Sequence, residues 1–92
     1  MRPDKKIKPS NQARKAFVEV LKPLDLGTAL KSVREEKKIS QADAAALCNV
    51  GTRFISDLEN GKATIQLGLA LKVLSAFGFT LVLKKKRLID DE

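Results

Sequence analysis

Four polar side chains fall on the outer side of one short predicted helix, which runs from about Thr52 to Asn60. Arg53 is the strongest candidate for a base contact, since a guanidinium can donate two hydrogen bonds to guanine O6 and N7. A phosphate contact is the alternative for it. Thr52 suits a base edge or a thymine methyl. Ser56 and Asp57 lie one turn further along the same face. The Asp57 carboxylate can accept a hydrogen bond from cytosine N4 or orient Arg53. The pattern predicts a helix that reads base edges in DNA.

Three residues near this helix have other roles. Phe54 either contacts a thymine methyl or belongs to the core, and the sequence leaves both alternatives open. Lys62 follows the helix and suits a phosphate contact. Cys48 falls at an apolar helix position, which predicts a core residue.

Catalysis is not expected from this sequence. It contains no histidine, only one cysteine and no Gly-rich phosphate loop. The serine and lysine residues stand without the context of a nucleophile and its base. The sequence therefore predicts no enzyme, no cofactor and no metal site. The single cysteine also excludes an intrachain disulfide, which fits a reducing compartment.

The chemistry depends on how residues 40–62 position the helix. Ser40 can cap a first short helix, with Asp43 three positions later as in a capping box. Asn49 tolerates the left-handed backbone of a tight turn. Gly61 is placed to end the second helix. These signals predict two short helices joined by a turn, an arrangement whose second helix can enter the major groove.

Inward-facing residues support the same arrangement. Ile55 and Leu58 lie three apart in the second helix and can face inward together. Ala44, Ala45, Leu47 and Cys48 give the first helix an apolar side. The small side chain of Ala45 allows two helices to cross closely.

Two further helices are predicted around this unit. Residues 25–38 carry an apolar stripe of Leu26, Leu30 and Val33. Residues 64–77, with Thr64 as the expected cap, are apolar over more of their circumference than one core-facing stripe requires. Such a helix is either central to the core or buried in a second interface, and the second interface is favoured.

The two ends of the chain are less regular. Residues 10–22 fit an amphipathic helix that Pro23 would end, although Phe17 to Leu21 could also form a strand. Residues 79–83 read as a strand. Because one strand cannot satisfy its own backbone groups, we expect the same strand of a second subunit as its partner. Phe79, Leu81 and Leu83 are the predicted dimerisation residues.

Charge is unevenly distributed along the 92 residues, whose net charge is +7. Residues 1–23, the predicted basic arm with a short helix, hold seven basic and two acidic residues. Residues 24–78 are the predicted folded domain, and 84–92 a charged flexible tail. The arm contacts the DNA backbone or only solubilises the chain. No membrane span or signal peptide is visible, so a cytoplasmic, nucleoid-associated protein is expected.

The motif resembles the phage-repressor and Cro (XRE) class of helix-turn-helix proteins over residues 25–77. The residues that carry the resemblance are Gln41, Ala45, Ile55, Leu58, Glu59, Asn60, Gly61 and Lys62. It implies a mainly α, lambda-repressor-like fold, to which the strand predicted at 79–83 adds a C-terminal pairing across a homodimer. It further implies that Arg34 and Glu59 pair and that Gln41 contacts a phosphate, with an exposed glutamine as the alternative. Asn49 departs from the usual glycine, and Ala44 from the usual leucine.

A narrower resemblance is to HipB-type antitoxins, partners of HipA-type serine/threonine kinase toxins. It rests on residues 50–64 and on the stretch from Leu71 to Leu83. It implies a dimeric repressor of its own operon that binds a palindromic operator in double-stranded DNA and neutralises the kinase by direct binding. The candidate DNA-binding residues are Gln41, Gly51, Thr52, Arg53, Phe54, Ser56, Asp57 and Lys62.

Two other functions stay open. The first is a stand-alone or phage-type transcriptional regulator. The second, from another class, is a protein-interaction module that blocks a partner enzyme, with DNA binding secondary.

Overall fold

The fold is mainly α, as predicted. A computed structural model describes residues 17–85 and contains four helices in that range. They are α1 (Pro23–Glu36), α2 (Gln41–Cys48), α3 (Thr52–Glu59) and α4 (Leu67–Ala76). Helix α3 packs against both α1 and α2, and α4 packs against α2. Helices α2 and α3 are the predicted helix-turn-helix pair, with α3 as its second helix. No helix in residues 17–85 has the length and apolarity needed to cross a membrane.

One hydrophobic core joins the four helices. Its fully covered side chains include the two residues predicted to face inward from α3. The buried apolar residues are Leu26, Leu30, Ala44, Ala45, Cys48, Ile55, Leu58, Ala70, Val73 and Leu74. The predicted inward position of Leu47 is wrong, since its side chain is 68% exposed. The core therefore fixes α3 from its inner side and leaves its outer side free.

Gly27 marks a close approach between two helices that the sequence pattern does not predict. A Cβ atom at Gly27 would overlap the Leu58 carbonyl oxygen and lie 2.7 Å from the Glu59 Cα. Helices α1 and α3 thus cross with their backbones in contact, which a residue without a side chain permits.

Each of the four helices ends in the same way. Within two positions of the end of each helix, a single residue adopts a left-handed backbone. These residues, with φ between 57° and 93°, are Lys38, Asn49, Gly61 and Gly78. At the end of α2, for example, the Val50 N–H donates to the Ala45 carbonyl at 3.0 Å and the Asn49 N–H to that of Ala46 at 3.2 Å. This is the Schellman pattern, which satisfies the last carbonyls of a helix. The predicted left-handed turn at Asn49 is confirmed.

The start of α1 differs from the prediction. Pro23 is the first residue of α1, where its missing N–H costs nothing, and it does not end an earlier helix. Residues 17–22 are irregular, so neither the favoured helix nor the alternative strand forms there; residues 10–16 lie outside the described range. The Asp25 carboxylate accepts from the backbone N–H groups of Leu21 (2.7 Å) and Lys22 (3.0 Å), which directs the chain into α1.

The last helix is shorter than predicted. It starts at Leu67, and its N-cap is Gln66 rather than Thr64. Its predicted excess of apolar surface is present, since Leu67 and Leu71 remain 56% and 39% exposed while the opposite side faces the core.

The predicted strand at 79–83 is not formed within residues 17–85. Phe79 donates its N–H to the Leu74 carbonyl at 2.9 Å and packs against the core. Leu81 and Leu83 are exposed. No backbone hydrogen bond joins residues 80–83 to another part of the described chain, and a strand requires a neighbouring strand. Pairing with a second copy stays a prediction.

Candidate nucleic-acid interface

The turn between α2 and α3 presents the start of α3 to solvent. Gly51 precedes α3 as its N-cap, in an extended conformation and without a side-chain cap. Thr52 and Arg53 follow and are exposed, with 86% of the Arg53 side chain accessible. The first N–H groups of the helix and these two side chains therefore point away from the core together.

Asp57 sits between two cationic side chains on this surface. Its carboxylate accepts from Arg53 Nε at 3.3 Å and from Lys62 Nζ at 3.5 Å. The predicted contact between Arg53 and Asp57 is therefore present, and Lys62 joins it. Ser56, half-buried, accepts from the Asn60 side chain at 3.4 Å. The surface has one carboxylate shared by two cations, so its local charge is positive.

Phe54 does not belong to the exposed set. Its side chain is half-buried and packs against the hydrophobic core. The core packing is present, and the thymine-methyl contact through the exposed part of the ring stays a prediction.

Beneath α3, a buried ion pair ties it to α1. Arg34 Nε and Nη2 donate to the two carboxylate oxygens of Glu59 at 2.7 and 2.9 Å, and Nη1 donates to the Ile39 carbonyl at 2.8 Å. The paired side chains are 10% and 3% exposed. Two parallel hydrogen bonds between planar groups fix both distance and orientation. The end of α3 is thereby held in register with α1.

Gln41 adds the third helix to this network. Its side-chain N–H donates to Glu59 Oε1 at 3.0 Å, from the first residue of α2. The sequence predicts a phosphate contact for Gln41, or an exposed glutamine, and gives no sign of this bond. One donor of the amide is used inside the protein, and its second donor is left for an outside partner.

The electrostatics of the pair favour its charged form. Burial by itself raises the pKa of the Glu59 carboxylate, but hydrogen bonds from Arg34 and Gln41 and the nearby positive charges lower it more, so the pKa lies below its ordinary value. The hydrogen bond to Glu59 raises the pKa of Arg34, against the opposing effect of burial. Both groups are therefore ionised near neutral pH.

Helix α2 is positioned by its own cap and by the core. The Ser40 hydroxyl oxygen accepts from the Asp43 N–H at 3.0 Å, as predicted. Cys48, 3% exposed, is a core residue, and burial raises the pKa of its thiol. Within residues 17–85 no cluster of three potential metal ligands occurs.

A family model described as "Helix-turn-helix" matches residues 30–84, which is more than half of the chain. The chain belongs to the helix-turn-helix family. A curated relative, the uncharacterized HTH-type transcriptional regulator y4mF of Sinorhizobium fredii, is 45% identical over 56 residues, covering 61% of this chain and 74% of the relative. The predicted identity as a DNA-binding transcriptional regulator is thus confirmed at this level.

Solved structures of HipB share the fold of this helix-turn-helix protein. A complex of a HipB variant with an O2 20mer superposes with a TM-score of 0.69 at 25% identity, covering 78% of this chain and 100% of the other. A HipA-HipB-O2-O3 complex superposes with a TM-score of 0.68 at 24% identity, covering 77% and 100%. The resemblance to HipB predicted from the sequence is confirmed for the fold.

Proposed function

We propose that this protein is a dimeric repressor that reads a palindromic operator through α3 and acts as the antitoxin of a HipA-type serine/threonine kinase. The observation that carries the proposal is the superposition on the whole length of HipB chains, one of them in a complex with HipA. The exposed cationic surface of α3 supplies the DNA-binding part.

In the DNA-binding part, α3 lies in the major groove with its first turn toward the bases. Arg53 donates to a guanine, while Asp57 restrains the guanidinium before and during docking because it already holds the Nε atom at 3.3 Å. Thr52 and Ser56 contact neighbouring base edges. This arrangement leaves the Arg53 terminal nitrogens as the donors that face the base.

Phosphate contacts flank this base-reading surface. Lys62, whose side chain is half exposed, neutralises one phosphate on one side. Gln41 donates its second amide N–H to a different phosphate, at the N-terminus of α2, where the helix dipole also favours an anion. The Gly51 backbone at the start of α3 offers a similar site. Phe54 packs α3 against the core, and the exposed part of its ring is left to contact a thymine methyl.

In the antitoxin part, the chain binds the kinase directly and keeps it inactive. The test is a pair of measurements on the full chain. The first is substrate phosphorylation by a HipA-type kinase of the same genome with increasing antitoxin, and the second is expression of a reporter driven by the promoter upstream of the gene for this chain. We expect stoichiometric inhibition of the kinase and repression of the reporter. Repression without any kinase complex would overturn the antitoxin part and leave a stand-alone regulator.

A stand-alone transcriptional regulator is the second candidate. It is favoured by the 45% identity to an HTH-type transcriptional regulator. The third, a protein-interaction inhibitor with DNA binding secondary, predicts kinase inhibition without repression of the reporter. The same two measurements separate all three functions.

A further inference from the structure

A groove of about 290 Å³ runs along the outer face of α1, away from the α3 surface. Val18, from the segment that enters α1, and Phe79, from the segment that follows α4, both line it. The floor consists of α1 residues: Asp25, Thr28, Ala29, Ser32 and Val33. None of these residues takes part in the ion-pair network or the cationic surface, so the groove is separate from the candidate base-reading surface.

The segment that contains Val18 is anchored at its end next to α1 and is otherwise uncovered. Asp25, on the groove floor, accepts two backbone N–H groups from residues 21 and 22 and so anchors the segment. The neighbouring apolar side chains project into solvent, with Phe17 88% and Leu21 79% exposed. A contiguous run of exposed apolar residues on a folded domain marks an interaction surface.

The segment that contains Phe79 continues into residues that are equally uncovered. Beyond Phe79, which packs on the core, Leu81 and Leu83 are 47% and 101% exposed. In an antiparallel pair centred on Leu81, Phe79 of one chain stands opposite Leu83 of the other, and their side chains lie on the same face. Because Phe79 borders the groove, the partner's Leu83 must lie over it.

We propose that the groove receives residues 79–83 of a second copy of this chain. Residues 17–21 then pair with the outer edge of that inserted strand, and the dimer carries a four-stranded sheet in which each 79–83 segment lies between two others. Val18 and Phe79 come from two different segments and both line the groove, as the two neighbours of one inserted strand would. The inference rests on the dimer of the proposed function and adds residues 17–21 to its interface.

The physical reason for this arrangement is that it covers both exposed segments at once. Backbone N–H and C=O groups of 17–20 and 80–83 gain partners, while the N–H groups of Leu21 and Phe79 keep their bonds within the chain. No apolar edge of 79–83 stays open to further chains. A two-stranded ribbon alone leaves the outer edge of each 79–83 strand open. The fully exposed side chain of Leu83 gains a cavity of matching chemistry, since Val18, Ala29 and Val33 line it.

Disulfide trapping tests the proposal on the full chain. One chain carries Val18→Cys, a co-expressed second chain carries Leu83→Cys, and the natural Cys48 stays in place because it is buried. Cross-strand neighbours are spaced within reach of a disulfide. We expect a covalent heterodimer, identified by mass spectrometry, as the main oxidised product. The matched control pairs Leu47→Cys, at an exposed leucine on α2, with Leu83→Cys and should yield no such product.

Leu81→Cys provides the internal reference, because Leu81 lies on the two-fold axis and should link two identical chains. Trapping through Leu81→Cys, without a heterodimer above the Leu47→Cys control, would overturn the groove proposal and leave the dimer intact. A chain that carries both Val18→Cys and Leu83→Cys is a further test. If it forms only an intrachain disulfide, the proposal is overturned, since residues 79–83 of the same chain would then fill the groove. Failure of every pair would overturn the dimer too. A mobility-shift assay of the unsubstituted chain on its operator reports on DNA binding separately.

Discussion

Arg53 is the residue on which sequence discrimination depends. Its side chain is exposed and held by Asp57 at 3.3 Å. If Arg53 reads a guanine, Arg53→Ala should weaken operator binding by about 1–3 kcal/mol and relax the preference at one base pair. Affinities for operator variants at fixed salt measure this effect. Lys62→Ala is the matched control, which should weaken all sequences equally. An equally uniform loss for Arg53→Ala would show that it contacts only phosphate.

The Arg34–Glu59 pair is the polar residue contact that the fold depends on most. Glu59→Gln leaves the Arg34 charge buried with a neutral partner, and removing one member of a buried pair costs about 3–5 kcal/mol. Thermal or urea unfolding measures the loss. Asp57→Asn, which disrupts exposed pairs, is the control and should cost about 1 kcal/mol or less. A loss for Glu59→Gln as small as that of the control would contradict this role.

The same residue gives the pair a pH dependence of known sign. The pKa of Glu59 is lowered in the folded protein, so its contribution to stability is present above the ordinary carboxylate pKa and is lost as pH falls through the folded value. Unfolding free energies from pH 7 down to pH 3 should therefore fall more steeply for the natural chain than for Glu59→Gln. Parallel curves would show that the pair does not stabilise the charged carboxylate.

At the scale of elements, the crossing of α1 over α3 has the strictest steric requirement. Gly27→Ala places a Cβ against the Leu58 carbonyl and the Glu59 backbone, which has no flexible end to move aside. Overpacking of this kind costs about 1–3 kcal/mol or more. Gly68→Ala in α4 is the matched control, because nothing lies within 4 Å of its Cβ. We expect it to stabilise the protein by about 0.5–1 kcal/mol. Equal melting temperatures for the two variants would contradict the close crossing.

Most of the central element could be predicted from the sequence because its signals are local. Ser40, Asn49 and Gly61 mark helix ends by their own backbone or capping chemistry, and Ile55 with Leu58 mark the inner side of α3 by spacing. Such features need no knowledge of distant contacts.

What the sequence did not predict depends on contacts between elements. Gly27 matters only because α3 crosses there, and Gln41 reaches Glu59 only when α2 and α3 are assembled. Pro23 is compatible with either the end or the start of a helix, and in the structure it is the first residue of α1. The pattern of residues 17–21 fits both helix and strand, so periodicity alone could not resolve it.

At the scale of the whole molecule, two chains are predicted to join through residues 79–83. Leu81→Asp places a carboxylate at the two-fold axis opposite its own copy, and so should give monomers in sedimentation experiments. Operator affinity should fall far more than affinity for a half-site, because the link between halves supplies much of the binding. Thr80→Asp, with its side chain on the other face of the strand, should disturb the dimer less. A soluble, stable dimer carrying Leu81→Asp would contradict strand pairing.

Two copies of α3 are proposed to read the two half-sites of one operator. Hydroxyl-radical footprinting of the full chain on the DNA upstream of its own gene tests this most directly. We expect two protected regions on the same face of the duplex, centred about 34 Å apart and related by two-fold symmetry. Arg53→Ala should weaken both regions together. A single protected region, or protection that does not depend on sequence, would contradict the claim.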